Sequence, residues 1–327
     1  MTSDLGRPTR ILAAMDAGEG RIALDSALAL AERHGAALEV IACVDPPQDL
    51  AIIARIAGRD PDKLIEEAVE RTREEVRAKL SEAAPERAIE PRVAVGKAYL
   101  EIIRHAAKTD CDFVIKQAEP LSGIHRFLFA STDQHLLRKC PCPVWLQTPT
   151  APITPRRVLA AVDLDVWDAA EPETLTSLNA RVVAAARCIA AASDAEVVVL
   201  HAWEAIGEGM IWAFSSDRDA RMSADRYVDE IRDAREDAMS LLLAKAREEG
   251  GSAPRLVPRL ARGAPEMVIE EQSRELGADV VVMGTVARTG LSGVFIGNTA
   301  ENIINNLERP VLAVKPEGFV SPLLRGP

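Results

Sequence analysis

The sequence is poor in the residues that mark membrane proteins, disulfide scaffolds and nucleic-acid binders. It has five cysteines and 4% aromatic residues in 327 positions, and no apolar run approaches the roughly 20 residues that span a bilayer. We therefore expect no membrane-spanning helix. Basic residues are also outnumbered by acidic ones, 39 against 50, for a net charge of −11. This balance disfavours a surface that neutralises nucleic-acid phosphates or anionic lipids.

The cysteines are scattered and odd in number, which indicates reduced thiols rather than a disulfide framework. Cys140 and Cys142 flank a proline, a spacing that fits a redox or metal-binding pair. No second cysteine or histidine pair follows at the spacing of zinc ligands. Cys140 also falls on the apolar face of its predicted helix, which favours a small buried hydrophobe.

The length predicts two domains of about 150 residues each. The stretch from Thr148 to Pro155 contains three prolines and three threonines and is typical of a linker. We therefore expect one domain over residues 1–150 and a second over residues 151–327. Residues 1–9 are polar and lead directly into a strand-like run, so we expect no secretory signal and a cytoplasmic location.

The two domains repeat one pattern. The run from Arg10 to Asp16 is a buried strand that ends in an acid, and the run from Arg157 to Asp163 repeats it. Strands alternate with helices in each copy, which predicts an open parallel sheet with helices on both faces. Later landmarks correspond at an offset of 167 residues: Asp112 with Asp279, Gly96 with Gly263, Gly123 with Gly290, Thr132 with Thr299, and Pro143 with Pro310.

The segment from Val280 to Leu307 carries the clearest functional signal. Its β-branched run ends at Gly284, and apolar residues between Ala300 and Leu307 recur at helical spacing. Asn298 can cap this helix, and Glu301 completes a capping box. Glycines between a strand and a helix let a ligand approach the backbone, and the helix dipole favours negative charge there. The segment thus indicates phosphate binding, although its spacing matches neither a Walker loop nor G-x-G-x-x-G.

The spacing resembles that of the universal stress protein family, whose nucleotide-binding members carry G-x2-G-x9-G-(S/T) at this point. Here the pattern stands as Gly284-x2-Ala287-x9-Gly297-Asn298, followed by Thr299. The outer glycines are kept, whereas the middle glycine and the hydroxyl residue are replaced. The whole run looks most like the tandem-domain E class of that family.

This resemblance implies a Rossmann-like, doubly wound sheet of strand order 3-2-1-4-5 in each copy. It also implies an internal pseudo-dimer in which the copies pair through their last strands, at residues 143–146 and 310–314. Ligands in such sheets bind where the strand order reverses, at the carboxyl ends of the strands. Asp163 and Gly284 are then expected to face one crevice.

The resemblance further implies that the second copy binds ATP, ADP or AMP, with Mg²⁺ only as a companion of the nucleotide. Asp163 would accept hydrogen bonds from the ribose, and the backbone near Ala202 would border adenine. Arg288 is either a phosphate ligand or a solvated loop residue, and the Thr285 hydroxyl either meets phosphate or bonds its own turn. The candidate residues are Asp163, Ala202, Met283, Gly284, Thr285, Ala287, Arg288, Gly297, Asn298 and Thr299.

The first copy lacks every glycine of the motif. At the offset of 167, Gln117, Pro120 and Ala130 replace Gly284, Ala287 and Gly297, so we expect a degenerate nucleotide site there. We interpret Asp16 as a strand-end residue that starts a turn.

The favoured function is a stress-response sensor that binds an adenine nucleotide without turning it over, as no general base or Walker lysine is present. Slow ATP hydrolysis is one alternative. A nucleotide-free or lipid-binding scaffold that acts through protein partners is another, and further homodimerisation stays open. The apolar run from Met210 to Phe214 would then be a lid over a hydrophobic ligand, or else a contact with the other copy. His201 is interpreted as a satisfied, half-buried histidine and not as a catalytic base.

Overall fold

The computed structural model describes residues 5–16, 18, 20–119, 132–166, 169–190, 195–214, 218–250, 254–285, 297, 300–302 and 309–324, without the side chains of 212–221. Its strands are β1 (Arg10–Met15), β2 (Ala37–Val44), β3 (Arg92–Val95), β4 (Phe113–Gln117), β5 (Val144–Gln147), β6 (Arg157–Ala161), β7 (Glu196–Trp203), β8 (Arg255–Arg262), β9 (Val280–Gly284) and β10 (Val311–Val314). Its helices are α1 (Ile22–His34), α2 (Leu50–Ile56), α3 (Pro61–Ala83), α4 (Ala98–Lys108), α5 (Thr132–Lys139), α6 (Pro172–Ile189), α7 (Glu208–Phe214), α8 (Arg218–Gly250) and α9 (Pro265–Glu275).

The strands form one continuous sheet in the order β3-β2-β1-β4-β5-β10-β9-β6-β7-β8. Each half has the predicted order 3-2-1-4-5, and every pair within a half is parallel. The halves join where β5 pairs antiparallel with β10, so that Trp145 lies opposite Leu312. The seam is therefore where the family resemblance places it. Because the seam is antiparallel, the carboxyl ends of the parallel strands in the two halves point in opposite directions.

The core lies in two apolar layers, one on each face of this sheet. One layer contains Trp145 and Leu312 together with Ile11 and Val158, and the other contains Leu12, Val114 and Leu159 among its buried residues. Each layer is built from both halves. The joint is thus a shared core and not only a row of backbone hydrogen bonds.

The repeat is visible in the backbone as well as in the sequence. Gly96 and Gly263 follow the third strands of their halves and both have φ near 140°, where a side chain would be strained. Asp112 accepts backbone N–H groups of Thr9 and Arg10 at the start of β1. Asp279 does the same for Arg156 and Arg157 at the start of β6. These paired aspartates fix the amino end of each half-sheet.

Two short helices were not evident from the sequence. Helix α2 exposes Ile52, Ile53 and Ile56, so its apolar residues do not follow the one-sided pattern that marks a packed helix. The apolar run from Met210 to Phe214 belongs to α7, and Met210 is 63% exposed. The roles of lid and of contact with the other copy stay predictions, since the side chains of Trp212 and Phe214 lie outside the described residues. Across the parts of the chain that the structure describes, no helix is both long and apolar enough to span a membrane.

Candidate functional site

The predicted site lies at the carboxyl ends of β6, β7 and β9. Ala161, the last residue of β6, pairs with Leu200 of β7 and with Met283 of β9. Asp163, Ala202 and Thr285 lie two residues after Ala161, Leu200 and Met283, respectively. Strand order reverses between β6 and β9, because β7 lies on the other side of β6. The structure thus brings these candidates to the kind of crevice where open parallel sheets bind ligands.

Asp163 is held in place by α6. The Asn179 side chain accepts the Asp163 N–H at 3.0 Å and donates to the Asp163 carbonyl at 2.6 Å. The Asp163 carboxylate accepts the N–H of Asp165 at 3.1 Å, which is the turn-starting bond of a strand-end aspartate. Asn179 was not singled out from the sequence. The sequence feature that could have identified Asn179 is an amide on the apolar face of a helix, and in the structure the residue is 5% exposed.

The two outer glycines of the motif approach one another. The Gly297 N–H donates to the Thr285 carbonyl at 3.3 Å, and the Gly297 carbonyl accepts from Glu301 as residues 300–302 turn into a helix. Gly284 also packs against α6, because a Cβ atom there would lie 2.6 Å from Leu178 Cδ2. A side chain at Gly284 would therefore have to displace Leu178, whatever the backbone binds.

The remaining motif residues divide into two groups. Thr285 is fully buried, and its hydroxyl accepts from Lys315 Nζ at 2.8 Å. Its side chain is therefore engaged inside the protein, and only its backbone faces the motif loop. Ala287, Arg288, Asn298 and Thr299 lie outside the described residues.

A buried polar cluster that the sequence did not reveal adjoins Asp163. Arg235 of α8 forms an ion pair with Asp165 at 2.7 Å, and the two residues are 4% and 7% exposed. His201 Nε2 lies 3.6 Å from the same carboxylate, while its Nδ1 lies 3.2 Å from the Val162 carbonyl. His201 is therefore a core histidine that is 1% exposed and not half-buried as predicted, and its Nε2 makes no hydrogen bond to the described residues. Arg235 lies on the long, densely charged helix α8, and its ion pair with Asp165 compensates its burial.

The same guanidinium group borders the backbone that was predicted to contact adenine. Arg235 lies 5.4 Å above the centre of the Trp203 ring, and Arg262 lies 5.9 Å from it. Trp203 directly follows Ala202 and is 6% exposed. An aromatic ring and two cations therefore surround this end of β7. No group of three metal-ligating side chains occurs in the portions of the chain that the structure describes.

The corresponding place in the first half is filled by an ionic network. Lys116, fully buried at the end of β4, contacts Asp16 at 2.9 Å and Asp133 at 3.3 Å. It also donates to the Gln117 carbonyl. Burial raises the pKa of Asp133, and the charge of Lys116 opposes that rise. Asp16, interpreted as a turn residue, is thus a partner of the buried lysine, and Gln117 is buried as well.

Lys315 links the second-half loop to the first half. It follows β10, is 3% exposed, and donates to Thr285 Oγ1 and to the carbonyls of Leu137 and Arg138 at the end of α5. Arg138 and Glu301 form an ion pair across the same boundary. Part of the candidate loop is thereby anchored on the other half of the molecule.

Lys315 is expected to make stability depend on pH. Burial lowers the pKa of Lys315 to about 7, whereas an unfolded lysine keeps its proton to a pH of about 10.4. Between these values the unfolded state binds more protons, so the free energy of unfolding rises as the pH increases. Urea unfolding across this range should show the rise in the wild type and a flatter profile in Lys315→Met. The exposed Lys245→Met variant is the matched control, and an unchanged profile in Lys315→Met would contradict the assignment.

Comparison with known proteins supports the fold and the family resemblance. The sequence profile of the universal stress protein family matches residues 8–147 and again residues 155–315. Universal stress protein E of Salmonella typhi is 32% identical over 223 residues, which cover 68% of this chain and 66% of that relative, just under two thirds of its length. The crystal structure of a universal stress protein from Pseudomonas aeruginosa UCBPP-PA14, itself described as putative, aligns with a TM-score of 0.62 and 26% identity over 96% of this chain and 95% of its own. One from Archaeoglobus fulgidus has a TM-score of 0.56 and 18% identity, covering 95% and 97%, and supports the fold alone.

Proposed function

The chain belongs to the universal stress protein family, and from this premise we propose that its second half binds an adenine nucleotide as a non-catalytic sensor of cellular state. ATP, ADP or AMP would lie in the crevice at the carboxyl ends of β6 and β9. Mg²⁺ would enter only with the nucleotide phosphates. The first half would serve as a scaffold that carries no ligand.

The observation that carries the proposal is the contrast between the two halves at the ends of their fourth strands. In the first half, buried Lys116 is bound to two carboxylates where a phosphate would have to enter. In the second half, Met283 stands at the position of Lys116 and Ala300 at that of Asp133. The second crevice therefore has no ionic network of this kind among its described residues.

The backbone of the second crevice also suits an anion. Gly297 lies beside the end of β9 and its carbonyl accepts from the N–H of Glu301, where residues 300–302 are helical, and the N-terminus of a helix attracts negative charge. Asp163 adds a half-buried carboxylate beside it, and carboxylates accept hydrogen bonds from sugar hydroxyls. These groups would hold the phosphates and the ribose of a nucleotide, respectively.

A second candidate is a scaffold that binds no nucleotide and acts through protein partners. It is favoured by the packing of Leu178 against Gly284 and by the buried Arg235–Asp165 pair beside Ala202. Both features occupy space next to the proposed ligand. If Leu178 and the Arg235–Asp165 pair do not move, a nucleotide cannot enter the crevice. The protein would then act by binding partners on its surface.

Replacing Gly297 by aspartate is expected to separate these candidates. A carboxylate beside the phosphates would repel them, so nucleotide affinity should fall by about tenfold or more. Isothermal titration of ATP, ADP and AMP against the purified full chain measures this effect. Gly297→Asn is the matched control, because it has the same shape as aspartate without the charge.

Three outcomes are informative. Loss of affinity in Gly297→Asp together with retained affinity in Gly297→Asn supports the nucleotide sensor. If both variants bound nucleotide as tightly as the wild type does, the nucleotide would bind elsewhere. Absence of binding in the wild type, and of any nucleotide in mass spectra of the denatured, undialysed protein, would overturn the proposal in favour of the scaffold.

A further inference from the structure

A pair of thiols lies at the boundary between the two halves. Cys140 follows the last turn of α5, Cys142 precedes the seam strand β5, and their sulfur atoms are 3.6 Å apart. Both belong to the apolar layer on one face of the sheet. The sequence analysis favoured a small buried hydrophobe for Cys140, and its burial agrees with that interpretation. Burial alone does not account for the contact between the sulfurs.

The surroundings of Cys140 favour its thiolate. The Cys140 and Cys142 sulfurs share a hydrogen bond in which either can be the donor. With Cys142 as the donor, and against the opposing effect of burial, this bond and that from the Cys142 N–H lower the pKa of Cys140. The positive charge of Lys315 acts in the same direction. Lys315 is anchored on the carbonyls of Leu137 and Arg138, within the turn that leads to Cys140. Cys140 can therefore act as the thiolate and Cys142 as the resolving thiol, and the charge of Lys315 acts on Cys140.

We propose that Cys140 and Cys142 form a reversible dithiol that a hydroperoxide oxidises to an intramolecular disulfide. This function is separate from nucleotide binding, since neither sulfur belongs to the crevice at β6 and β9. The dithiol would give the protein a direct chemical response to peroxide.

The reaction balances with hydrogen peroxide as the oxidant. The Cys140 thiolate attacks one peroxide oxygen, the O–O bond breaks, and the departing hydroxide takes a proton to become water, leaving a sulfenic acid on Cys140. The Cys142 sulfur then attacks the Cys140 sulfur, the S–O bond breaks, and a second hydroxide leaves as water with the Cys142 proton. Two thiols are oxidised by two electrons, and one peroxide is reduced to two waters. Lys315, whose positive charge acts on Cys140, would supply the proton to the first departing hydroxide.

The other cysteines provide an internal comparison. Burial raises the pKa of Cys43 to about 12 and that of Cys111 to about 11, so both are held as thiols. Cys43 is nevertheless more exposed than Cys140 and Cys142, which are 0% and 7% exposed. Reactivity governed by exposure would begin at Cys43. Reactivity governed by thiolate character and a neighbouring thiol would begin at Cys140, reached by peroxide through local opening of the last turn of α5.

The test is a peroxide time course on the reduced full-length protein, followed by alkylation and peptide mass spectrometry. We expect the peptide that contains Cys140 and Cys142 to lose two hydrogens and its alkylation, while Cys43, Cys111 and Cys188 stay alkylated. Dithiothreitol should reverse the change. Oxidation of Cys43 before the pair, or no oxidation of the pair, would overturn the proposal.

Two variants define the roles of the sulfurs. Cys142→Ser should trap Cys140 as a sulfenic acid that reacts with dimedone, whereas Cys140→Ser should leave Cys142 unreactive. Lys315→Met should slow disulfide formation severalfold, because it removes a positive charge that lowers the pKa of Cys140, and Lys315→Arg should retain most of the rate. Circular dichroism confirms that each variant is folded. Equal trapping at both sulfurs would contradict the assigned order of attack.

Discussion

Replacing Lys116 by methionine is expected to lower the free energy of unfolding by about 3–5 kcal/mol, because it leaves two carboxylates without their buried cation. The Lys116 ammonium is fully buried between Asp16 and Asp133, and Asp133 itself is 8% exposed. Without the lysine, Asp133 must take up a proton or remain a buried charge. Urea unfolding followed by circular dichroism measures the loss. The deficit should shrink as the pH is lowered, since protonated Asp133 needs no cation and its raised pKa makes the folded state bind the proton more tightly.

The matched control is the double variant Lys116→Met, Asp133→Ala. It gives the first half the residues that the second half carries at Met283 and Ala300, and it removes the more deeply buried carboxylate together with the cation. We expect it to recover most of the stability lost in the single variant, which is the coupling expected of contacting residues. If the single variant were as stable as the wild type, the lysine would not be needed to hold the carboxylates.

Replacing Trp145 by alanine should destabilise the protein by about 3–5 kcal/mol and should weaken both halves together. Trp145 is 2% exposed, lies opposite Leu312 across the seam, and belongs to an apolar layer that contains residues of both halves. The cavity would therefore form in a core that the halves share. Calorimetry measures the loss, and hydrogen exchange of the amides in β6 and β9 shows whether it reaches the second half.

Ile103→Ala is the control for this experiment, because Ile103 lies on α4 and belongs to the apolar layer that does not contain Trp145. It should destabilise the first half with less effect on exchange in β6 and β9. Trp145→Phe should cost less than about 1.5 kcal/mol, since the ring keeps most of the apolar volume. Separate unfolding transitions for the two halves of Trp145→Ala would show that the seam does not couple them.

The fold was predictable because its signals are local and repeated. Short β-branched runs such as Val280–Gly284 identify buried strands, and the constant offset of 167 residues identifies the second copy without any structure. The position of the seam came from the family resemblance, since nothing in β5 or β10 alone specifies an antiparallel partner. Parallel register then brings Asp163 level with Ala202 and Thr285, as expected for strands that end at one edge.

The charged interior was not predictable because its partners are far apart in the chain. From the sequence, Lys116 is only a polar residue near the end of a strand, and the fold alone places Asp16 and Asp133 beside it. Arg235 lies among many charged residues of a 33-residue helix, and spacing alone does not show that this one faces Asp165. The engagement of the Thr285 hydroxyl likewise depends on Lys315, which joins it only when β10 has paired with β9. The periodicity of the sequence therefore does not predict these buried polar contacts, because they join residues that are far apart in the chain.

The antiparallel seam also has a consequence for synthesis of the protein. Strand β5 leaves the ribosome with one edge unpaired, and its partner β10 is translated only after half of the chain has followed. Throughout that interval the nascent first half presents an apolar edge of the kind that pairs with other chains. Fragments that stop after the first half should therefore associate with one another through β5, while the finished chain has closed that edge with its own last strand.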